Sequence, residues 1–432
     1  MSDLHKRTLA IQQLKERFAA EAPALTKALV SDRQLAEAAA PPHVVEATQL
    51  IGAWLVDSAA AVHPQVRSGQ RQAAGAVAIS VHDDAPLTSL ARTLPAAVLA
   101  GARQCVVNLP QQAEQTAAVL RRICRGIAGL TVGTEPSSTF ILRALADPYI
   151  RTIWVGGSED LLAPFDDLIC DTRSHIILEG HGNDAIVVGP DADLTRAARA
   201  AARMVFRSGG LDPAAPARVY VHAGVHDAFT ALLRRCLRTD APVPPRGALD
   251  SNHIDALIRQ ARQAGAELSV GRKLRAVIDH PPGPMTQPTI LSGCRGDLRI
   301  VTTRCRGPIL PVVPYSDDAD LFTALDRSAG PDGQVGAAAT LFGAPALADG
   351  LGRRFAHLLR SSQGPFGMGA RRARICWGGG PTSWSLTAGP DGMRRRYGPV
   401  DLTHAFTRNM PTSRARWSSR RASRQEAAAA AK

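Results

Sequence analysis

Apolar residues recur at three- and four-residue spacing from Leu14 to about Val62, in LKERFAAEAPALTKAL and VVEATQLIGAWLVDSAAAV, and predict two helices separated by Pro41-Pro42. The polar stretch from His63 to Ala74 reads as a loop. The texture then changes. AVAISV (Ala76–Val81), CVVNL (Cys105–Leu109), GLTVG and IRTIWVGG (Ile150–Gly157) read as strands, and LTSLARTLPAAVLAG, AEQTAAVLRRICRGI and TFILRALADP between them as helices. Strand and helix alternating in this way imply a parallel sheet covered on both faces, a doubly wound, Rossmann-like unit.

A second set follows. HIILEG, DAIVVG and ARVYVH predict strands, with LTRAARAAARMVF, VHDAFTALLRRCLR and IDALIRQARQAG as helices. After ELSVG, AVID and TQPTIL come the strand PILPVVPY, the helix DADLFTALDRS, the strand AAATLFG and the helix PALADGLGRRFAHLLR. The expected fold class is α/β, with two doubly wound α/β domains. From Trp377 onward Gly, Pro, Ser and Arg dominate, and regular structure is expected to fade.

Composition narrows the class. The chain is 45% hydrophobic and 21% charged, an ordinary globular mix, and its aromatics are scarce at 4%, so aliphatic residues must fill the core. The first residues lack a secretory pattern, and no apolar run is long enough to span a bilayer, so a cytoplasmic protein without membrane insertion is expected. Seven cysteines are scattered without a CxxC pair, which points to reduced thiols and to no metal site. The formal charge is +13, and the Arg394 to Arg424 segment carries nine arginines with Asp401 as its only acid. That tail is expected to be disordered and offers a partner surface for nucleic acid or another anionic surface.

Three segments carry a resemblance. LEGHGNDAIVVGPDADLTRAARAA resembles the Glu-Leu-Gly-Gly-Lys-Asn-Pro segment of the aldehyde dehydrogenase superfamily, FRSGGLDPAAPARVYVHAGVHDAFTALL resembles its nucleophile loop, and TQPTILSGCRGDLRIVTTRCRGPILPVVPYSDDADLFTAL resembles the stretch ending in Glu-x-Phe-Gly-Pro. APLTSLARTLPAAVLAGARQCVVNLP resembles the family's first nucleotide-domain unit, and IRTIWVGGS its Phe-Thr-Gly-Ser turn. The matches are collinear from about Val77 to Gly369. The resemblance implies an aldehyde-dehydrogenase-like fold. Its expected parts are an N-terminal helical segment (1–75), a Rossmann-like nucleotide-type domain (76–178, with parts of 1–75), a catalytic-type α/β domain (179–376) and a Gly/Arg-rich segment with the basic tail (377–432).

The family's chemistry uses a cysteine thiolate, an oxyanion-holding asparagine, a glutamate general base and NAD(P). Here the nucleophile position is Pro213, beside Asp212, and the oxyanion position is Asp84. Proline has neither a nucleophilic atom nor a backbone N–H. The ribose-binding lysine falls on Leu109, and the Glu and Phe of Glu-x-Phe-Gly-Pro fall on Arg304 and Arg306. An arginine at the ribose position suits either a phosphate or a site released from its old constraint. Gly157-Ser158 match the turn at the pyrophosphate end, and Gly307-Pro308 and Gly364-Pro365-Phe366-Gly367 retain backbone motifs. Counting from Gly157-Ser158 puts Glu179 at the general-base position, whereas counting back from Asp184-Ala185-Ile186 puts Leu178 there.

Three functions follow as expectations. The first is a structural or binding relative without NAD-dependent oxidation, motivated by the joint loss of thiol, amide, lysine and glutamate. The second is a repurposed enzyme in which Asp84, Glu179, His181 and Asp212 do acid/base work. The third is a residual NAD(P)-dependent oxidoreductase using Cys305 or Cys294, with Arg304 lowering the Cys305 thiol pKa. No cofactor is expected under the first reading, since the residues that would bind NAD(P) are largely lost. A protein partner or a second copy is the expected companion, although the family's assembly hairpin is short or absent here and the C-terminus is Gly- and Arg-rich.

Overall fold

The computed structural model describes residues 3–33, 40–56, 71–73, 75–127, 129–172, 174–206, 210, 215–239, 251–270, 288–305, 307–330, 333–360, 383–389, 392–398 and 400–409. Two seven-stranded sheets organise the chain. The first is built from β2 (Ala76–Ser80), β3 (Gln104–Leu109), β4 (Leu130–Thr134), β5 (Ile150–Gly156) and β6 (His175–Glu179), all parallel, in the order β6-β5-β2-β3-β4. The second contains β7 (Ala185–Val188), β8 (Arg218–His222), β10 (Thr289–Ser292), β11 (Ile309–Tyr315), β12 (Gly336–Phe342) and β13 (Phe355–Arg360) in parallel, in the order β13-β12-β7-β8-β11-β10, with β9 (Glu267–Val270) antiparallel at the edge. Strands such as β7 and β12 are buried along their whole length, as expected of parallel strands covered on both faces.

Three N-terminal helices, α1 (Asp3–Ala20), α2 (Ala22–Arg33) and α3 (Ala40–Val56), lie outside α4 (Pro86–Leu99) and α5 (Glu114–Cys124) on one face of the first sheet. The ends of α5 show how they are fastened. The Asp32 carboxylate accepts hydrogen bonds from Gln115 N (3.2 Å) and Thr116 N (2.7 Å) at its first turn, and Arg17 Nη1 donates to Ile123 O (2.9 Å) at its last. Anion at the N-terminus and cation at the C-terminus both satisfy orphan backbone groups and oppose the helix dipole. On the other face, α6 (Ser137–Ala146) and α7 (Asp166–Asp171) cover a core of Phe140, Ile141, Ile153, Leu178 and Trp384.

The second sheet carries α8 (Leu194–Phe206) and α9 (His226–Thr239) on one face. On the other lie α10 (Ser251–Gln263), α11 (Arg299–Thr302), α12 (Asp318–Asp326) and α13 (Ala348–Gly352).

Three regions differ from the sequence expectation. Three helices rather than two precede the first sheet: a turn at Glu21 divides α1 from α2, and Pro41-Pro42 lie in the first turn of α3 instead of between helices, where missing N–H groups cost no intrahelical bond. The helix expected over PALADGLGRRFAHLLR stops at Gly352, and Phe355–Arg360 instead forms β13, paired in parallel with β12 and with Phe355 buried. The open edge of β12 supplies hydrogen-bond partners that outweigh local helix spacing. Regular structure also returns after Trp377. β14 (Trp384–Gly389) pairs antiparallel with β6 and with β15 (Gly392–Tyr397), extending the first sheet by a hairpin. A short helix, α14 (Leu402–Ala405), leads to β16 (Thr407–Asn409), which pairs with β1 (Arg71–Ala73). Arg394 to Arg396 therefore belong to a sheet-edge strand rather than to a tail. The arginines from Arg414 to Arg424 lie outside the described residues.

Candidate functional site

The strand order of the first sheet reverses between β2 and β5, since β3 and β4 lie to one side of β2 and β5 and β6 to the other. Crevices at the carboxyl ends of strands flanking such a reversal are where open α/β sheets place their sites. Four chemically capable side chains converge there. His82 and Asp84 follow β2, Glu179 ends β6, and His181 stands on the connection to the second sheet. Glu179 lies across from Gly156 of β5, and its carbonyl accepts a hydrogen bond from Gly157 N at 3.0 Å.

The two residues that the sequence left open as general-base candidates point to opposite faces of β6. Leu178 faces the apolar core beneath α6, and Glu179 faces the crevice.

Glu179 is fully buried, and so is Arg92 on α4, whose Nη2 donates to Glu179 Oε1 in a close ion pair. His82 Nε2 lies 3.8 Å from the other carboxylate oxygen. The His82 and His181 rings stand 5.4 Å apart, and His181 Nδ1 lies 3.9 Å from Asp84 Oδ2. The crevice thus holds a continuous file of charge-bearing groups, Arg92, Glu179, His82, His181 and Asp84. Close approach requires glycine at 156, where a Cβ would lie 2.7 Å from both the backbone N and the ring Cδ2 of His82. Gly180 N donates to Ser383 Oγ (2.9 Å), so the segment before β14 also borders this crevice.

Arg92 and His82 were not among the residues singled out from the sequence. A signal for Arg92 existed, because it is the only charged residue in the fourteen-residue helix α4. A lone arginine in a helix buried on every side needs a partner.

Around Gly157 the turn is filled. Gly157 has φ +148°, and Leu161 packs against the space a side chain at 157 would need. Ser158 is half-buried, and its Oγ lies 3.2 Å from Asp160 Oδ2. Leu109 ends β3 as a buried core residue.

Arg304 belongs to a separate arrangement. Its Nη1 donates to the carbonyls of Gly182 (2.9 Å) and Ala215 (2.7 Å), and its Nη2 to that of Gly210 (3.1 Å). The guanidinium therefore ties the connection between the sheets to the segment around the expected nucleophile position. Gly210, with φ +74°, crosses directly against the carbonyl of Gly307, which gives Gly307-Pro308 a scaffold role. Nearby, buried Arg218 donates to Asn183 Oδ1 (2.7 Å) and Val301 O (2.6 Å). Burial pushes the Asp184 carboxyl up to about 7, against the opposing pull of a hydrogen bond from Ala338 N and of Arg304 and Arg218. Asp212, Pro213, Arg306 and Gly364 to Gly367 lie outside the described residues.

The expected activation of a displaced thiol is corrected by the structure. Cys294 and Cys305 are buried, and burial pushes both thiols up to about 12. At Cys305 the neighbouring Arg304 lowers the value, as anticipated, but desolvation is the larger effect.

A family model described as the aldehyde dehydrogenase family matches residues 2–344. The chain belongs to the aldehyde dehydrogenase family. It is 29% identical over 177 residues to a 3,6-anhydro-alpha-L-galactose dehydrogenase of Vibrio sp. (39% of this chain, 37% of that protein). It is 25% identical over 276 residues to the enzyme of the same name from Streptomyces coelicolor (59% and 54%). The matched stretches thus span less than two thirds of these relatives' own lengths. Among solved structures it is similar to an aldehyde dehydrogenase of Pseudomonas syringae in complex with NAD+ and octanal (TM-score 0.76, 19% identity, 94% of this chain and 84% of that one). It is likewise similar to an NAD-dependent aldehyde dehydrogenase of Sinorhizobium meliloti (TM-score 0.73, 16% identity, 97% and 84%). These likenesses establish the fold, and no described helix is long and apolar enough to cross a membrane.

Proposed function

We propose that this family member does not carry out NAD-dependent aldehyde oxidation and serves as a structural or binding subunit. The observation that carries this reading is the buried Arg92–Glu179 pair. In the family's chemistry the glutamate at this position must activate water. Here the carboxylate is closed off from solvent and engaged by a guanidinium. Pro213 at the nucleophile position, and thiols at 294 and 305 held in the neutral form, support the same reading. NAD(P) fits poorly by the family's means, because Leu109 is apolar and buried where a lysine is expected and Arg304 is engaged with backbone carbonyls where a glutamate is expected. Titrating NAD+ and NADP+ into the purified protein by calorimetry, together with an aldehyde-dependent assay for the reduced cofactor, tests this. No binding heat and no reduced cofactor are expected, and aldehyde-dependent turnover would overturn the proposal.

A repurposed acid/base enzyme is the second reading. It is favoured by the two histidine–carboxylate approaches, His82 with Glu179 and His181 with Asp84. Imidazole beside carboxylate is a common acid/base pairing. Under this reading His181→Ala abolishes any hydrolytic or isomerising activity found. Full retention of that activity in the variant removes the reading.

A further inference from the structure

We propose that the exposed face of α8 is a binding surface for the phosphate backbone of nucleic acid. Three arginines, Arg196, Arg199 and Arg203, project from this helix and are exposed. At 100° per residue they fall within an arc of about 60°, and they span about 10 Å along the axis. They are the only charged residues of α8. A surface helix ordinarily interleaves both signs, so three like charges on one stripe cost repulsion unless an anion covers them.

None of the three forms an ion pair with another described residue, and the nearby acids are engaged elsewhere. Asp191 Oδ1 accepts from Ala344 N, Asp193 Oδ1 accepts from the backbone N of Arg196 at the start of the helix, and Asp227 meets His226. On the adjoining helix α9, Arg235 is exposed and likewise without an ion-pair partner among the described residues, whereas Arg234 is paired with Glu267 at 2.6 Å.

The platform is rigid. Ala197, Ala198, Ala201 and Val205 are buried against the second sheet, and Phe229, Leu233 and Leu237 anchor α9 in the same cluster. The arginines therefore hold a fixed spacing. An anionic membrane is a poorer match, because α8 and α9 expose no large apolar side chain to insert among lipids. Guanidinium groups in a row suit phosphate oxygens along a strand without reading bases. The surface is separate from the site between the sheets and independent of whether that site is catalytic.

The test is fluorescence anisotropy of the full-length protein with a labelled duplex of arbitrary sequence, over a series of salt concentrations. Three variants are compared with the unmodified chain: R196E/R199E/R203E, R196A/R199A/R203A, and one with glutamine at Arg414, Arg416, Arg420, Arg421 and Arg424. The expected result is binding whose logarithm falls with log salt, with the slope reduced by about 3 in the alanine variant and binding lost in the glutamate variant. The glutamine variant is expected to keep the contribution of α8. Unchanged binding in both α8 variants overturns the proposal, as does loss of all binding in the glutamine variant. Absence of duplex binding by the unmodified protein also overturns it, whether or not the protein sediments with anionic vesicles or is retained by an acidic polypeptide. Circular dichroism confirms that the exposed substitutions leave the fold intact.

Discussion

Arg92 in the middle of α4 and Glu179 at the end of β6 neutralise one another out of reach of water. The contact joins a helix to a strand 87 residues further along, and its carboxylate is the one that counting from Gly157-Ser158 assigns to the general base. An ion pair buried this deeply is not itself a large source of stability, but breaking it is costly. Arg92→Ala strands a buried carboxylate and is expected to destabilise the protein by about 3–5 kcal/mol. Arg92→Leu combined with Glu179→Leu removes both charges and is expected to recover most of that loss. Chemical denaturation of the single and double variants checks it. Equal destabilisation by both would show that the charge pairing is not the source of the effect.

Asp184 should make stability depend on pH. Its folded value is raised to about 7 by burial, while in the unfolded chain it ionises near the ordinary carboxylate value of about 4. Between those values the folded protein holds a proton that the unfolded chain has released. The stabilisation is therefore complete below the unfolded value and is lost as pH rises through the folded one, amounting to about 2–4 kcal/mol. Asp184→Asn keeps an oxygen to accept from Ala338 N and removes the titration. The variant is expected to show a flatter slope across this window when denaturation is followed against pH. An unchanged slope would assign the pH dependence to other groups.

The alternation of strands and helices was legible because buried parallel strands appear as short, continuous apolar runs, such as AIVVG and AAATLF. Glu179 was visible as a candidate only through the family resemblance, by counting from Gly157-Ser158, with Leu178 as the alternative. Other features were hidden because their causes lie far away in the chain. FAHLLR has residues at helix spacing, and only the exposed edge of β12 turns it into a strand. The Arg-rich hairpin of β14 and β15 gains its place from β6, some two hundred residues earlier, which no local window contains. Arg304 was readable as a departure from the family pattern, but its three carbonyl partners emerge only once the loops are folded together.

Thiol reactivity should follow burial. Cys170 is exposed, whereas Cys105, Cys124, Cys294 and Cys305 are buried, with burial pushing Cys105 up to about 12 and Cys124 up to about 11. Reactivity requires access and thiolate. Under native conditions an alkylating reagent is expected to modify Cys170 well before any of these four, as read by peptide mass mapping over time. Fast modification of Cys305 would mean that its loop opens readily and would revive the displaced-nucleophile reading.

Arg304, which the motif resemblance aligns with the family's glutamate, offers a test of whether one substitution confers NAD+ binding. Arg304→Glu supplies the glutamate that the family pattern places there, but it removes donors to Gly182, Ala215 and Gly210 and sets a carboxylate against their carbonyl oxygens. Hydrogen bonds from a charged donor contribute more than neutral ones, and their loss leaves acceptors facing a like partial charge. The variant is expected to lose about 2–4 kcal/mol of stability and to gain no measurable affinity for NAD+. Arg304→Lys, which keeps the charge but not the forked geometry, should fall between the two. Thermal unfolding and calorimetry of the three proteins check this together. A glutamate variant that is fully stable and binds NAD+ would show that the carbonyl contacts are incidental and that buried Leu109 does not keep the dinucleotide out.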